Sequence, residues 1–318
     1  MSRSRLTLRR GLPFLALAVT ATIGLSACSG GGSAVPASDP GASSSATDLS
    51  SVYKNAVVAK AADILPSSTM AAIKKRGKLI VAEALDAPLL SQQNPSKPDD
   101  VEGFDADLAK LLAIYILGKP NVEIVPPASE TREALLQNGT VDVVFNTYTI
   151  TTERAEQVDF AGPYFASGLA VAVKADNTKI KGISDLGGTT VIVGANTPAV
   201  TAVPEKQPTA KVVSFATDPE AVQALAQGRG DAYVQDFTLL ASDAASNPAI
   251  TVVGQPFTTE SYGIGLKHGD ATFKSFINDW LVKIQKNGDW AKVWKATLGS
   301  AVKSSTPTPP AIGSVPGS

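Results

Sequence analysis

One unit of sequence occurs twice in this chain. Residues 134–146 read A-L-L-Q-N-G-T-V-D-V-V-F-N, and residues 224–236 read A-L-A-Q-G-R-G-D-A-Y-V-Q-D. Each is a helix end, a glycine suited to the left-handed conformation of a helix C-cap, an aspartate, a β-branched apolar run like a buried parallel strand, and a polar residue at the strand's end. Two such units predict two α/β lobes of equivalent construction. In open α/β sheets ligands bind beyond the carboxyl ends of the strands. Asn146 from the first unit and Asp236 from the second are therefore the residues each lobe would present to a shared crevice. The alternative for Asp236 is an acid that caps the helix expected over residues 237–244.

The residues after Asn146 sharpen this. Thr147-Tyr148-Thr149 continues the polar run, and Thr151-Thr152-Glu153-Arg154 reads as an N-cap and first helical turn. Backbone N–H groups, hydroxyls and a guanidinium then converge, a combination suited to a carboxylate. The alternative is that Arg154 is a surface ion pair. Composition narrows the chemistry further. The chain has 318 residues, 44% hydrophobic, enough for about two domains. Its formal charge is −1 and its basic residues are scattered, so no nucleic-acid surface is expected. One histidine (His268) and one cysteine (Cys28) leave little for a metal site, a Cys/His nucleophile pair or a disulfide. No cofactor is expected.

Several motifs resemble family 3 of the extracytoplasmic solute-binding proteins, the amino-acid receptors of ABC importers. T-I-T-x-E-R-x-x-x-V-D-F-x-x-P-Y is matched at 149–164 and G-F-D-x-D-L-A at 103–109, and the opening of the second lobe, Asp185-Leu186-Gly187-Gly188 followed by Thr190 to Val193, is similar to D-L-x-G-K-x-V-x-V. The resemblance implies a two-lobed periplasmic-binding-protein type II fold with two hinge strands and a function of capture without chemistry. It implies that Arg154, Thr149 and Thr197 hold the α-carboxylate of an amino acid, and that Asp236 and the Asn146 region hold its ammonium. Ala195 stands where the family has glycine in the G-A-N-T-P turn at 194–198. The run R-E-A-L-L-Q-N-G at 132–139 is similar to the glutamate and aspartate subgroup, where residues matching Arg132 and Ser129 contact the side-chain carboxylate. Glu83, after the first strand, stands against an acidic ligand, because that subgroup often carries a basic residue there. A pairing of Glu83 with Arg132 would leave a neutral pocket suited to an amide. Glutamate is placed slightly ahead of glutamine, with aspartate and asparagine as close relatives. Asp105 and Asp107 are read as structural, negative charge in the first turn of a helix.

The remainder organises around these lobes. Residues 1–27, with arginines at 3, 5, 9 and 10 and a short apolar run, are an export signal ending in Leu25-Ser26-Ala27-Cys28, which is similar to a lipobox. Residues 28–50 read as a disordered tether, 51–71 as a helical extension, 72–167 with 262–299 as the first lobe, 168–261 as the second, and 300–318 as a disordered tail. Trp290 and Trp294 at i,i+4 are expected in the core. The expected protein is a lipid-anchored extracytoplasmic monomer that hands its ligand to a membrane permease with two ATPase subunits. Two rivals share the fold: a ligand-sensing lipoprotein, and a dehydratase in which Glu83 would be the acid or base.

Overall fold

The computed structural model describes residues 48–302 and 305–318. The signal segment, Cys28 and most of the tether lie outside the described residues. The first lobe is built from α1 (Ser50–Lys54), α2 (Thr69–Arg76), β1 (Leu79–Ala82), β2 (Asp86–Ala87), β3 (Ser91–Asn94), β4 (Lys97–Glu102), α3 (Phe104–Leu117), β5 (Val122–Val125), α4 (Arg132–Gln137), β6 (Val143–Val144), α5 (Thr152–Ala155) and β7 (Asp159–Ser167). The second lobe holds β8 (Leu169–Lys174), β9 (Thr190–Gly194), α6 (Ala199–Lys206), β10 (Lys211–Phe215), α7 (Asp218–Ala226), β11 (Ala232–Asp236), α8 (Phe237–Ser246) and β12 (Ile250–Val253). The chain then returns to the first lobe through β13 (Glu260–Leu266), α9 (Ala271–Lys286), α10 (Asp289–Ala296) and α11 (Leu298–Val302).

The two main sheets have the same plan. The first runs β5-β1-β6-β13-β7 and the second β10-β9-β11-β8-β12. In each, three parallel strands are followed by an antiparallel one, β13 or β8. The duplicated unit explains the match in detail. Gly139 and Gly228 end their helices at φ 73° and 72°. Asp142 then accepts the Ile80 N–H of β1 at 2.8 Å, and Asp231 accepts the Thr190 N–H of β9 at 2.8 Å. The repeated aspartate thus ties each third strand to the strand beside it. The regular part of β6 is shorter than the run from Val141 to Phe145 implies, although the Phe145 N–H still reaches Ala82 O at 3.1 Å.

The core of the first lobe forms around α3, where twelve of fourteen residues are buried. Its start explains the glycine of G-F-D-x-D-L-A: Gly103 has φ 135°, and a β-carbon there would lie 2.4 Å from the Leu90 carbonyl. Only glycine permits that approach. Trp290 and Trp294 are core residues, and the Trp290 indole donates to Tyr164 O at 2.9 Å.

Two connections cross between lobes, Ser167–Leu169 and residues 254–259. They touch: the Leu169 N–H donates to Thr258 Oγ1 and the Phe257 N–H to Leu169 O, both at 2.8 Å. A β-carbon on Gly168 would meet the Thr258 carbonyl at 2.2 Å. The lobe boundary placed at 262 shifts, because β13 already pairs Glu260 with Ser167 of β7.

Two segments differ from their expected independence. The extension before residue 72 belongs to the first lobe, since Val52 is in its core and the Tyr53 hydroxyl donates to Asp107 Oδ1 at 2.7 Å. Residues 305–318, expected to be disordered, lie on the same lobe. Ile312 and Val315 pack on its core, and the Gly313 N–H donates to Gly162 O at 2.8 Å.

Candidate functional site

Between the lobes lies a cleft of about 260 Å³. Its walls include Ser129, Arg132, Asn146, Thr149 and Arg154 from the first lobe and Thr197 and Asp236 from the second. Seven of the eight residues singled out in the sequence therefore line one space.

The arginines form its cationic side. Arg132 is 4% exposed and Arg154 6%. Both guanidiniums lie over the Tyr148 ring, 4.5 and 4.8 Å from its centroid, a favourable arrangement for cations. Glu133 balances them: its Oε1 is 3.4 Å from Arg154 Nε and accepts the Tyr148 hydroxyl at 2.8 Å. Arg154 also donates to Thr149 O at 2.7 Å, while Arg132 donates to Ser129 O at 3.0 Å and Asn146 O at 3.1 Å. Burial, then the neighbouring Arg154, lowers Arg132 to about 10, so it remains a cation at neutral pH.

Asp236 supplies the anionic side. It does cap α8, accepting the Thr238 N–H at 2.8 Å, and the same oxygen accepts the Ser167 hydroxyl at 2.8 Å. Its other oxygen, Oδ2, is buried, and the Tyr262 hydroxyl lies beside the carboxyl. The capping reading holds, and the residue also lines the cleft. Burial raises its carboxyl to about 6, against the Tyr262, Ser167 and Thr238 donors that lower it.

Loop geometry aims the remaining groups. Thr147 adopts φ 43°, held by Asp105, whose Oδ2 accepts its N–H at 2.8 Å while Oδ1 accepts the Tyr164 hydroxyl at 2.8 Å. Asp105 is thus structural, but its task is to shape the cleft, beyond steadying a helix end. In the G-A-N-T-P turn the left-handed residue is Asn196, φ 53°, so Ala195 needs no glycine-like backbone. Thr197 Oγ1 is turned to Gly194 O at 2.8 Å.

Glu83 is the correction. It is fully buried, outside the cleft lining, and not paired with Arg132. Neither carboxyl oxygen has a hydrogen-bond partner, and the Ser91 hydroxyl beside it donates to Ala84 O instead. Burial, and then Asp105, push its pKa well above the usual carboxylate range. A strand alternates its faces: Glu83 turns inward and Ala84 reaches the cleft. Glu83→Met should raise the melting temperature, worth about 1–3 kcal/mol for removing an unpaired buried polar group. Affinity should stay within about twofold; thermal melting and calorimetry check both.

Sequence reasoning passed over Glu133, Asn196, Asp86, Asp218 and Glu260. Asp86, Asp218 and Glu260 line the cleft. Glu133 stood beside Arg132 in a quoted motif, while nothing local marked Glu260. Asp218 accepts the Tyr233 hydroxyl at 2.6 Å, and burial raises it and its neighbour Asp243.

Two lobes, a paired hinge and a small cleft with guanidiniums on one side and a carboxylate on the other define a two-lobed binding protein. The chain belongs to the bacterial extracellular solute-binding proteins, family 3, whose model matches residues 79–299. Members of this family are extracytoplasmic, bind small amino-acid ligands and work with ABC permeases. The chain is similar to the ABC transporter glutamine-binding protein GlnH of Bacillus subtilis (strain 168), 37% identical over 71% of this chain and 83% of the relative. It is 32% identical to the glutamate-binding protein GluB of Corynebacterium glutamicum over 72% of this chain and 81% of that protein. Among solved structures it resembles the ancestral amino-acid-binding protein AncCDT-1, a precursor of cyclohexadienyl dehydratase, at TM-score 0.67 and 35% identity over 73% of this chain and all of that one.

Proposed function

We infer that this protein captures glutamine for an ABC importer, with glutamate second. The carrying observation is the charge order of the cleft, Arg132 and Arg154 on one side and Asp236 on the other, which matches the two charges of an amino acid. Arg154, Thr149 and Thr197 would hold the α-carboxylate, and Asp236 with the Asn146 region the ammonium.

The order of glutamate and glutamine is reversed from the sequence reading. Arg132 spends three of its five N–H groups on the carbonyls of Ser129, Asn146 and Asn196. The Ser129 N–H reaches Ala216 O across the cleft at 3.5 Å, which brings Thr217 and Asp218 to the same end as Ser129. Asp86 also lines that cleft. A distal carboxylate would meet these acids at the wrong sign, whereas an amide can donate to them. The similarity to GlnH supports the same choice.

Isothermal titration with the twenty amino acids tests this. Glutamine should bind most tightly; equal or tighter binding of glutamate would overturn the order, and silence from every amino acid would overturn the function. Recovery of unchanged glutamine separates capture from a dehydratase-like reaction. Loss of glutamine uptake on gene deletion separates transport from sensing.

The protein is further read as a monomer anchored through a lipid on Cys28. No helix among the described residues is long and apolar enough to cross a membrane. Cys28→Ser should therefore yield an exported protein that fractionates as soluble, and persistence in the membrane fraction would remove the anchor.

A further inference from the structure

We propose that Asn196 is the latch that holds the lobes closed, acting by completing the Arg132–Glu133–Arg154 cluster from the opposite lobe. It stands between β9 and α6, at the mouth of the cleft with an exposed face, and is not among the cleft-lining residues. Its carbonyl accepts Arg154 Nη2 at 2.5 Å and Arg132 Nη2 at 3.4 Å. Its side-chain amide donates to Glu133 Oε2 at 3.1 Å and to Ser129 O at 3.4 Å. One residue of the second lobe thus meets all three charged members of the cluster.

The electrostatics explain why this position matters. Two buried guanidiniums share one carboxylate, so the first lobe carries an excess positive charge beside the Tyr148 ring. On closure a carbonyl dipole from the second lobe replaces water at both cations, and an amide N–H replaces it at the carboxylate. Hydrogen bonds to ionised groups are the stronger kind, and here they form only when the lobes meet. The left-handed φ of 53° turns carbonyl and side chain toward the cluster together; asparagine tolerates that conformation and β-branched residues do not. Away from the hinge, the other described cross-lobe hydrogen bonds include Ser129 N–H to Ala216 O and the Ser242 hydroxyl to Pro88 O. Neither touches a charged group.

The latch stabilises the closed arrangement, which a bound ligand favours further, so in binding it acts on release and leaves entry alone. This rests on the reading of the cleft as an amino-acid trap. The test is stopped-flow binding of glutamine to the wild-type protein, Asn196→Gly and Asn196→Val. Asn196→Gly keeps the backbone conformation and carbonyl and loses the amide; its dissociation rate should rise about tenfold. Asn196→Val also displaces the carbonyl, and its rate should rise on the order of a hundredfold. Association rates should stay within about twofold. Dissociation rates within about twofold of wild type in both variants would overturn the latch, as would an equal loss in association rate. If the wild-type protein binds no amino acid, the functional reading has failed on its own. Small-angle scattering then decides the latch: Asn196→Val should be measurably more extended than wild type, and identical radii would overturn it.

Discussion

Arg154→Ala should abolish amino-acid capture and also weaken the fold, by about 3–5 kcal/mol, the usual result of removing one partner of a buried ion pair. The resemblance, which puts Arg154 on the ligand's α-carboxylate, implies only the loss of binding. The structure adds the second effect, because Arg154 is the ion-pair partner of Glu133 and donates to the Thr149 and Asn196 carbonyls. Removal leaves a buried carboxylate and the Thr149 and Asn196 carbonyls short of donors. Arg132 cannot replace it, being already committed to three carbonyls. Calorimetry and thermal melting of the same sample check the two effects. Wild-type affinity in this variant would remove the central claim, and a wild-type melting temperature would remove the account of the cluster.

Asp236→Asn should lower affinity about a hundredfold or more while leaving stability nearly unchanged, because asparagine still caps α8 but cannot pair with an ammonium. Its pH signature is distinctive. The carboxyl of Asp236 stands at about 6, raised by burial, and only its ionised form holds an ammonium. Affinity should therefore fall about tenfold per pH unit below 6 in the wild-type protein, and Asp236→Asn should lack this dependence. Ligand-free stability runs the other way. A carboxyl raised in the folded state contributes stability that is fully present below its unfolded value near 4 and is lost as pH rises through about 6. Asp105 and Asp218, also raised to about 6 by burial, add to the same trend. Between pH 4 and 7 the ligand-free protein should become less stable as binding becomes tighter. Parallel profiles in melting and titration experiments would contradict these assignments.

What the sequence determined by itself was everything carried by local repetition. The duplicated helix, glycine, aspartate and strand unit specifies two lobes of one plan, because glycine conformations, strand propensity and the strand-end position are properties of short segments. It placed Asn146 and Asp236 at equivalent strand ends, and both line the cleft. The motif around Arg154 was legible for the same reason, since a capped turn following a strand aims its own donors.

What only the tertiary structure decided were the partners that meet across long separations, and the face a residue takes at the end of a strand. Glu83 and Ala84 are neighbours in sequence, yet one is buried beneath the cleft and the other lines it, because a strand's faces alternate with period two and the lobe's packing chooses the phase. Asp105 looked like a helix-dipole acid until Thr147 was found on it. The tail at 305–318 looked too polar to pack until the surface that receives Ile312 and Val315 was in place. Glu133, Asn196 and Glu260 had no signal of their own, because a charge's partner in a hinged protein is set by how two lobes close, and closure is a property of neither lobe's sequence alone.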